Sequence, residues 1–134
     1  MTANETTKGQ GVNSVPHTIH EVSRAINNPR RRKVIVTVDT LEGPVEVGHL
    51  ARIIAALEND IVVQEVNSRQ RKRAYVSLVQ NNLPSLHETG VIEYRERDGL
   101  VHPTEGTHGV AKLVRALEAF CTDTLAAEQP KGAQ

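Results

Sequence analysis

A run of basic residues offers the clearest chemistry in this sequence of 134 residues. The stretch from residue 67 to residue 84 contains four cations and no Asp or Glu. These cations are Arg69, Arg71, Lys72 and Arg73. Arg and Lys bind phosphate groups, and Arg does so through paired hydrogen bonds. Because we predict a helix that begins at Ser68, and helix amino ends favour anions but disfavour cations, the run indicates a phosphate-binding surface.

A second basic run, Arg30 to Lys33, precedes a segment whose only acid is Asp39. Arg30 and Arg31 are therefore further candidates for phosphate contact. A solvated helix face is the alternative, because runs of this kind commonly have no binding role.

Polar side chains beyond the first run supply groups that read nucleic-acid bases. Ser77 and Gln80 follow the basic residues at helical spacing, and such side chains bond base edges or phosphates. Arg95 and Arg97 flank the tip of a predicted hairpin, where we expect contact with a DNA backbone or minor groove. Pairing of these two arginines with neighbouring acids is the alternative.

Other kinds of site have little support. Paired carboxylates, a phosphate loop and a nucleophile motif are absent, so we do not expect an enzyme. His17 and His20 have no third ligand nearby in the sequence, and Cys121 on an apolar helix face is typical of a buried hydrophobe. We therefore expect no metal ion and no other cofactor, and leave open whether a small molecule is sensed.

Overall charge is balanced, with 16 Lys and Arg against 16 Asp and Glu. The balance conceals a strong segregation, because acids dominate residues 42–66 and 85–134 while bases dominate the two runs. No apolar stretch approaches the roughly 18 residues of a membrane span, and the amino terminus is too polar for a signal peptide. We expect a cytoplasmic protein associated with the nucleoid, with no membrane partner.

Helix signals divide the first two thirds of the chain. Thr18 and Glu21 form a capping-box pattern, and Asn28-Pro29 starts a second helix. The β-branched residues that follow also suit a strand, but the cap and the spacing favour a helix. A short strand at Val45–Val47 and an amphipathic helix from Gly48 to Asn59 come next. Ser68 is the predicted cap of the basic helix.

The apolar period of the basic helix continues across Pro84, which predicts either a kink or two abutting helices that end at Gly90. Its apolar positions are Tyr75, Leu78, Val79, Leu83 and Leu86. Residues 91–104 then read as a β-hairpin around a two-residue Asp98-Gly99 turn. A final helix is predicted over residues 107–126.

Helix, helix, short strand, helix, basic helix and hairpin is the order of a winged helix-turn-helix. We predict an α+β, mainly α fold, with a β-hairpin wing and an added C-terminal helix. The predicted parts are a disordered tail (1–14), the DNA-binding domain (15–104), a dimerisation helix (105–127) and a second disordered tail (128–134). The candidate dimer contacts are Val110, Leu113, Leu117, Phe120 and Leu125. Packing of this helix against the first helix of the same chain is the alternative.

Several stretches resemble a haloarchaeal winged-helix family known only as a domain of unknown function. They read NPRRRKVIV, GPVEVGHLARIIAALEND and VNSRQRKRAYVSLVQNNLPSLHETGVIEY, followed by the DG hairpin. The resemblance runs from about Ile19 to Thr104 and is most specific from Arg71 to Tyr94. It implies a DNA-binding winged helix that is distantly similar to arsenic-repressor-like regulators.

Together these features predict a homodimeric, sequence-specific transcriptional regulator that binds double-stranded DNA, with the helix from Ser68 in the major groove and hairpin 91–104 as the wing. The alternative is a winged-helix module that binds another protein, as an adaptor or anti-regulator, without direct contact to DNA.

Overall fold

The computed structural model describes the backbone of residues 17–132 and the side chains of residues 17–121. Its regular elements are, in chain order, α1 (Ile19–Ile26), α2 (Pro29–Leu41), β1 (Val45–Glu46), α3 (Val47–Asn59), α4 (Ser68–Ser77), α5 (Leu83–Thr89), β2 (Ile92–Arg95), β3 (Leu100–Pro103) and α6 (Thr107–Gly132). A 3₁₀ turn, Val63–Glu65, lies between α3 and α4, and a π-helical segment, Leu78–Asn82, joins α4 to α5. The fold is α+β and mainly α, as predicted. The tail predicted at residues 1–14 lies outside the described residues.

The first two helices begin where their caps predict. The Thr18 hydroxyl accepts a hydrogen bond from the Glu21 backbone N–H, and the Glu21 carboxylate accepts one from the Thr18 N–H, each at 3.0 Å. Asn28 caps α2 by accepting from the Arg31 N–H at 2.9 Å, and Pro29 starts the helix. The segment after Pro29 is a helix and not a strand, and its buried residues follow helical instead of alternating spacing along one face. That face carries Val34, Ile35 and Val38.

Helix α4 is capped by Asn67, so the prediction of Ser68 as the cap is wrong by one residue. The Asn67 side chain accepts from the Gln70 N–H at 2.8 Å, and the Gln70 side chain accepts from the Asn67 N–H at 2.9 Å. Asn and Ser are both good caps, but only Asn67 has an acceptor side chain three residues later. Ser68 has Arg71 at that position, which can only donate.

The run from Ser68 to Thr89 stays helical across Pro84 because the turn before it widens. In the π-helical segment the Leu83 N–H bonds to the Leu78 carbonyl, five residues back. Pro84 has no N–H to donate, and the wider turn admits its ring without ending the run. Two helices thus meet through a π segment, and Gly90 closes the second with a φ of 81°.

The sheet has the antiparallel order β1-β3-β2, with Val101 of β3 paired to Val45 on one side and to Tyr94 on the other. The predicted hairpin is confirmed, but its turn is not the two-residue type. Arg95 pairs with Leu100, which leaves residues 96–99 as the loop. Gly99 has a φ of 67° and its N–H bonds to the Arg95 carbonyl at 2.9 Å, whereas Asp98 lacks the positive φ that a type I′ turn requires.

The first half of α6 belongs to the core. Val110, Ala111 and Val114 are buried in the same apolar cluster as Leu50 of α3 and Leu86 of α5, and α6 packs along α2 rather than α1. The prediction of Val110 as a dimer contact is therefore wrong, because its side chain is only 6% exposed within one chain.

The helix also continues to Gly132, beyond the predicted boundary at residue 127. Leu125 lies outside the described side chains. No helix in the described part of the chain combines the length and apolar character needed to cross a membrane.

Candidate nucleic-acid interface

Helix α4 presents its basic side chains to solvent because its other face is packed. Ala74 and Leu78 are buried against the core, where α4 lies on α3. All four members of the basic run named above are exposed. We call these four residues the α4 cluster: Arg69, Arg71, Lys72 and Arg73. The cluster therefore lies on the surface at the start of α4, next to α3.

The arginines of the chain fall into two groups. Seven of those with described side chains bond to an acceptor in the chain. They are Arg24, Arg30, Arg31, Arg32, Arg52, Arg95 and Arg115. The other four form no hydrogen bond or ion pair with any residue that the structure describes. They are Arg69, Arg71, Arg73 and Arg97, so within residues 17–121 the arginines without a partner lie on α4 and at the tip of the wing.

Arg30 is used inside the fold, which contradicts its prediction as a phosphate contact. Its Nε and Nη2 atoms donate to the two carboxylate oxygens of Glu58 on α3, at 2.6 and 2.7 Å, and Nη1 donates to the Ser77 hydroxyl. Ser77 in turn donates to the Asn82 side chain at 3.1 Å. Ser77 is therefore also wrongly predicted as a DNA contact, since its hydroxyl faces α2 and the π segment.

Arg31 caps the end of α1. Its guanidinium donates to the carbonyls of Ala25 and Arg24, at 3.2 and 2.7 Å, and Arg32 donates to the Ile26 carbonyl at 2.7 Å. Partial burial, with the nearby Arg24 charge, lowers the pKa of Arg31. The prediction of Arg31 as a DNA contact is contradicted, because it satisfies carbonyls that end a helix without intrahelical partners.

The two arginines of the wing differ in their hydrogen-bond partners. Arg95 Nε donates to a Glu93 carboxylate oxygen at 2.9 Å, and this bond lowers the pKa of Glu93 and raises that of Arg95. The alternative of pairing with a neighbouring acid thus applies to Arg95. Arg97, two residues further along, is exposed in the loop between the strands.

Two exposed side chains on α4 were not predicted as site residues. Tyr75 is 40% exposed, although the sequence placed it in the apolar stripe, and Val76 is 39% exposed. Tyr75 lies on the side of the wing. Burial raises the pKa of Tyr94 in the wing, and the nearby Glu96 and Tyr75 side chains raise it further. Gln80 is exposed one turn beyond Val76. The other predicted stripe residues, Leu78, Val79, Leu83 and Leu86, do pack inward, and Ala74 takes the place expected of Tyr75.

One family model, described as Domain of unknown function (DUF7344), matches residues 23–102. The match covers more than half of the chain and spans α2 to β3 with the end of α1. Neither a curated protein nor a solved structure matches the chain.

Proposed function

We propose that this chain, which belongs to the DUF7344 family, binds double-stranded DNA through the α4 cluster and the wing and thereby regulates transcription. Helix α4 enters the major groove, and Arg97 in the wing contacts a flanking phosphate or the minor groove. In a winged helix-turn-helix the second helix of the turn motif occupies this position. The family description assigns no activity.

The observation that carries the proposal is the division of the arginines. A guanidinium without an acceptor contributes little to the stability of the fold. The first turn of α4 also contains cations without a single acid. Each cation there costs the free protein about 0.3 to 1 kcal/mol through the helix dipole. Phosphates reverse this cost, because they interact favourably both with the cations and with the amino end of the helix.

The direct test measures the affinity of the full chain for a short DNA duplex against salt concentration. Wild type should lose affinity steeply as salt rises, because each phosphate contact releases counterions. Arg71→Ala should weaken binding and lower the slope of log K against log salt by about one. Lys112→Ala is the matched control, since Lys112 is an exposed cation on α6 without a described partner, and it should leave the slope unchanged.

A duplex affinity that ignores salt, or that is equal in wild type and Arg71→Ala, would contradict DNA binding by the α4 cluster. Equal losses in Arg71→Ala and Lys112→Ala would indicate nonspecific attraction to the whole surface instead.

The regulator is proposed to act as a homodimer that pairs through the exposed side of α6. Leu113, Leu117 and Phe120 lie on that side. Two-fold symmetry would place two α4 helices on two half-sites. The proposal also includes association with the nucleoid, a haloarchaeal origin of the family and a distant relationship to arsenic-repressor-like regulators.

The exposed apolar side of α6 also favours a second candidate, a module that binds another protein without contacting DNA. Such a module would keep its partner when the α4 cluster is neutralised and lose it when Leu117 is made charged. Salt-sensitive duplex binding that depends on Arg71 decides for the first candidate.

A further inference from the structure

We propose that Val76 reads a thymine methyl group, so that each half-site contains an A·T pair beneath the carboxyl half of α4. This inference rests on the proposed function, since it assigns base recognition to a surface that binds DNA. It concerns a residue outside the α4 cluster and a chemistry other than charge.

Val76 lies in the centre of the surface that faces the DNA. On a helix, residues three and four apart are neighbours, so Val76 adjoins Lys72 and Arg73 towards the start of α4 and Gln80 beyond its end. The opposite face is occupied by Ala74 and Leu78 in the core. Val76 therefore occupies the middle of the outward face, with cations on one side and an amide on the other.

Val76 is an exposed apolar side chain outside the core. Val79 and Tyr94 pack against the core from the edges of this region, whereas Val76 is not among the partly buried side chains of the described residues that do so. β-branched residues are also poorer helix formers than Ala, Lys or Glu. An exposed apolar side chain in a surface made for a polar ligand points to an apolar group on that ligand.

The major groove offers one such group. Its base edges present hydrogen-bond donors and acceptors except at thymine, which adds the C5 methyl. A helix in the groove directs cations towards phosphates, and the other side chains that face the floor of the groove towards base edges. Val76 then packs on a thymine methyl, and Gln80 one turn on has the amide that pairs with adenine. Gln80 lies in the π-helical segment that follows α4, four residues after Val76.

The experiment compares thymine with uracil, which lacks only the methyl group. A random-sequence duplex pool is first enriched by binding to the full chain, and each thymine of the recovered site is then replaced singly by uracil. For wild type we expect one position in each half-site at which uracil weakens binding about fourfold, the value of one buried methyl-sized group. Val76→Ala should lose about the same factor on the thymine duplex and no longer distinguish thymine from uracil.

Ile19→Ala is the matched control. Ile19 is an exposed aliphatic residue on α1, and its truncation should leave the thymine preference intact. Circular dichroism of both variants confirms that each remains folded.

The outcomes separate this inference from the proposed function. Salt-dependent duplex binding without any thymine position sensitive to uracil overturns the role of Val76 and leaves DNA binding standing. A thymine preference that persists in Val76→Ala overturns it as well, as does a pool that yields no enriched sequence. Failure to bind any duplex in a salt-dependent way removes both proposals together.

Discussion

At the scale of single residues, the same side chain serves two purposes in this chain according to what faces it. Arg30 and Arg71 both lie in basic runs near the start of a helix. Arg30 meets the Glu58 carboxylate and the Ser77 hydroxyl, and so connects α2, α3 and α4. Arg71 meets no acceptor among the described residues. The difference originates in α3, which brings an acid to Arg30 and none to Arg71.

Arg30→Ala should therefore affect stability rather than DNA affinity. It leaves the partly buried carboxylate of Glu58 without its paired donor, and the loss of charge-assisted hydrogen bonds costs about 1 to 3 kcal/mol of unfolding free energy. Urea denaturation measures this cost. Arg97→Ala, which removes an exposed arginine without a described partner, should change the unfolding free energy by less than about 0.5 kcal/mol. Equal stability of the two variants would contradict the structural role of Arg30.

Local sequence patterns pointed to most candidate residues of α4 and the wing. They could not distinguish arginines that bond within the fold from arginines without a described partner. The α4 cluster is recognisable because a helix start rich in cations and free of acids is visible in the sequence alone. The acceptor of Arg30 is 28 residues away on another helix, so its partner follows from packing and not from the local pattern. Ser77 failed for the same reason, since its orientation is set by α2.

At the scale of elements, sequence signals formed by neighbouring residues within one turn predicted structure correctly. Signals that depend on competition between two candidate residues or pairings did not. The Thr18 box and the Asn28-Pro29 start need only neighbouring residues, and both helices begin there. Asn67 and Ser68 compete for one cap, and Gln70 decides between them. In the hairpin, the pairing of Arg95 with Leu100 lengthens the loop that Asp98-Gly99 suggested.

Helices α2 and α6 are joined by a polar link as well as by the core. The Asp39 carboxylate of α2 accepts hydrogen bonds from His108 Nδ1 and Arg115 Nη1 of α6, each at 2.9 Å, and Arg115 also donates to the Thr40 hydroxyl at 3.1 Å. Partial burial acts to raise the pKa of Asp39, but these two neighbours outweigh it and hold the pKa below its ordinary value.

The lowered pKa of Asp39 makes this link sensitive to acid. A carboxyl whose pKa is lower in the folded state stabilises the fold above its unfolded pKa, near 3.9, and loses that contribution as the pH falls through the folded value. Asp39→Asn should cost about 1 to 2 kcal/mol of unfolding free energy at pH 7, and the difference from wild type should shrink below about pH 4. Urea denaturation from pH 7 to pH 2.5 follows the difference. A constant difference over this range would show that the charge of Asp39 is irrelevant.

At the scale of the whole molecule, a chain of zero net charge concentrates its bases and its acids in different segments of the sequence. The segment that contains α4 has four cations and no acid, while α3 and the residues that follow it to Val66 are acidic. A total charge therefore does not predict the partner of this chain. In the proposed function, this arrangement would limit nonspecific attraction to DNA and orient the docking surface.

One substitution on α6 tests the proposed dimer contact. Leu117 is 38% exposed on the side away from the core, so Leu117→Glu should leave the fold intact and place two like charges in the proposed dimer contact. Light scattering after size-exclusion chromatography should then report a mass near 14.7 kDa, against twice that value for wild type. Ala119→Glu adds the same charge on another side of the helix and should remain dimeric. A Leu117→Glu variant that stays dimeric would move the contact away from this face of α6.

The anchoring of α6 has a geometric consequence for the DNA that such a dimer accepts. Because Val110 and Val114 hold the first half of the helix in the core and Asp39 fixes its outer side, α6 leaves the domain in one direction. Two copies joined through it would hold their α4 helices at one separation and one rotational phase. DNA is a screw that turns about 35° with each base pair, so inserting even one base pair between the half-sites rotates the second out of register. If the chain binds DNA as the proposed dimer, the junction between α2 and α6 would therefore determine the spacing between its half-sites.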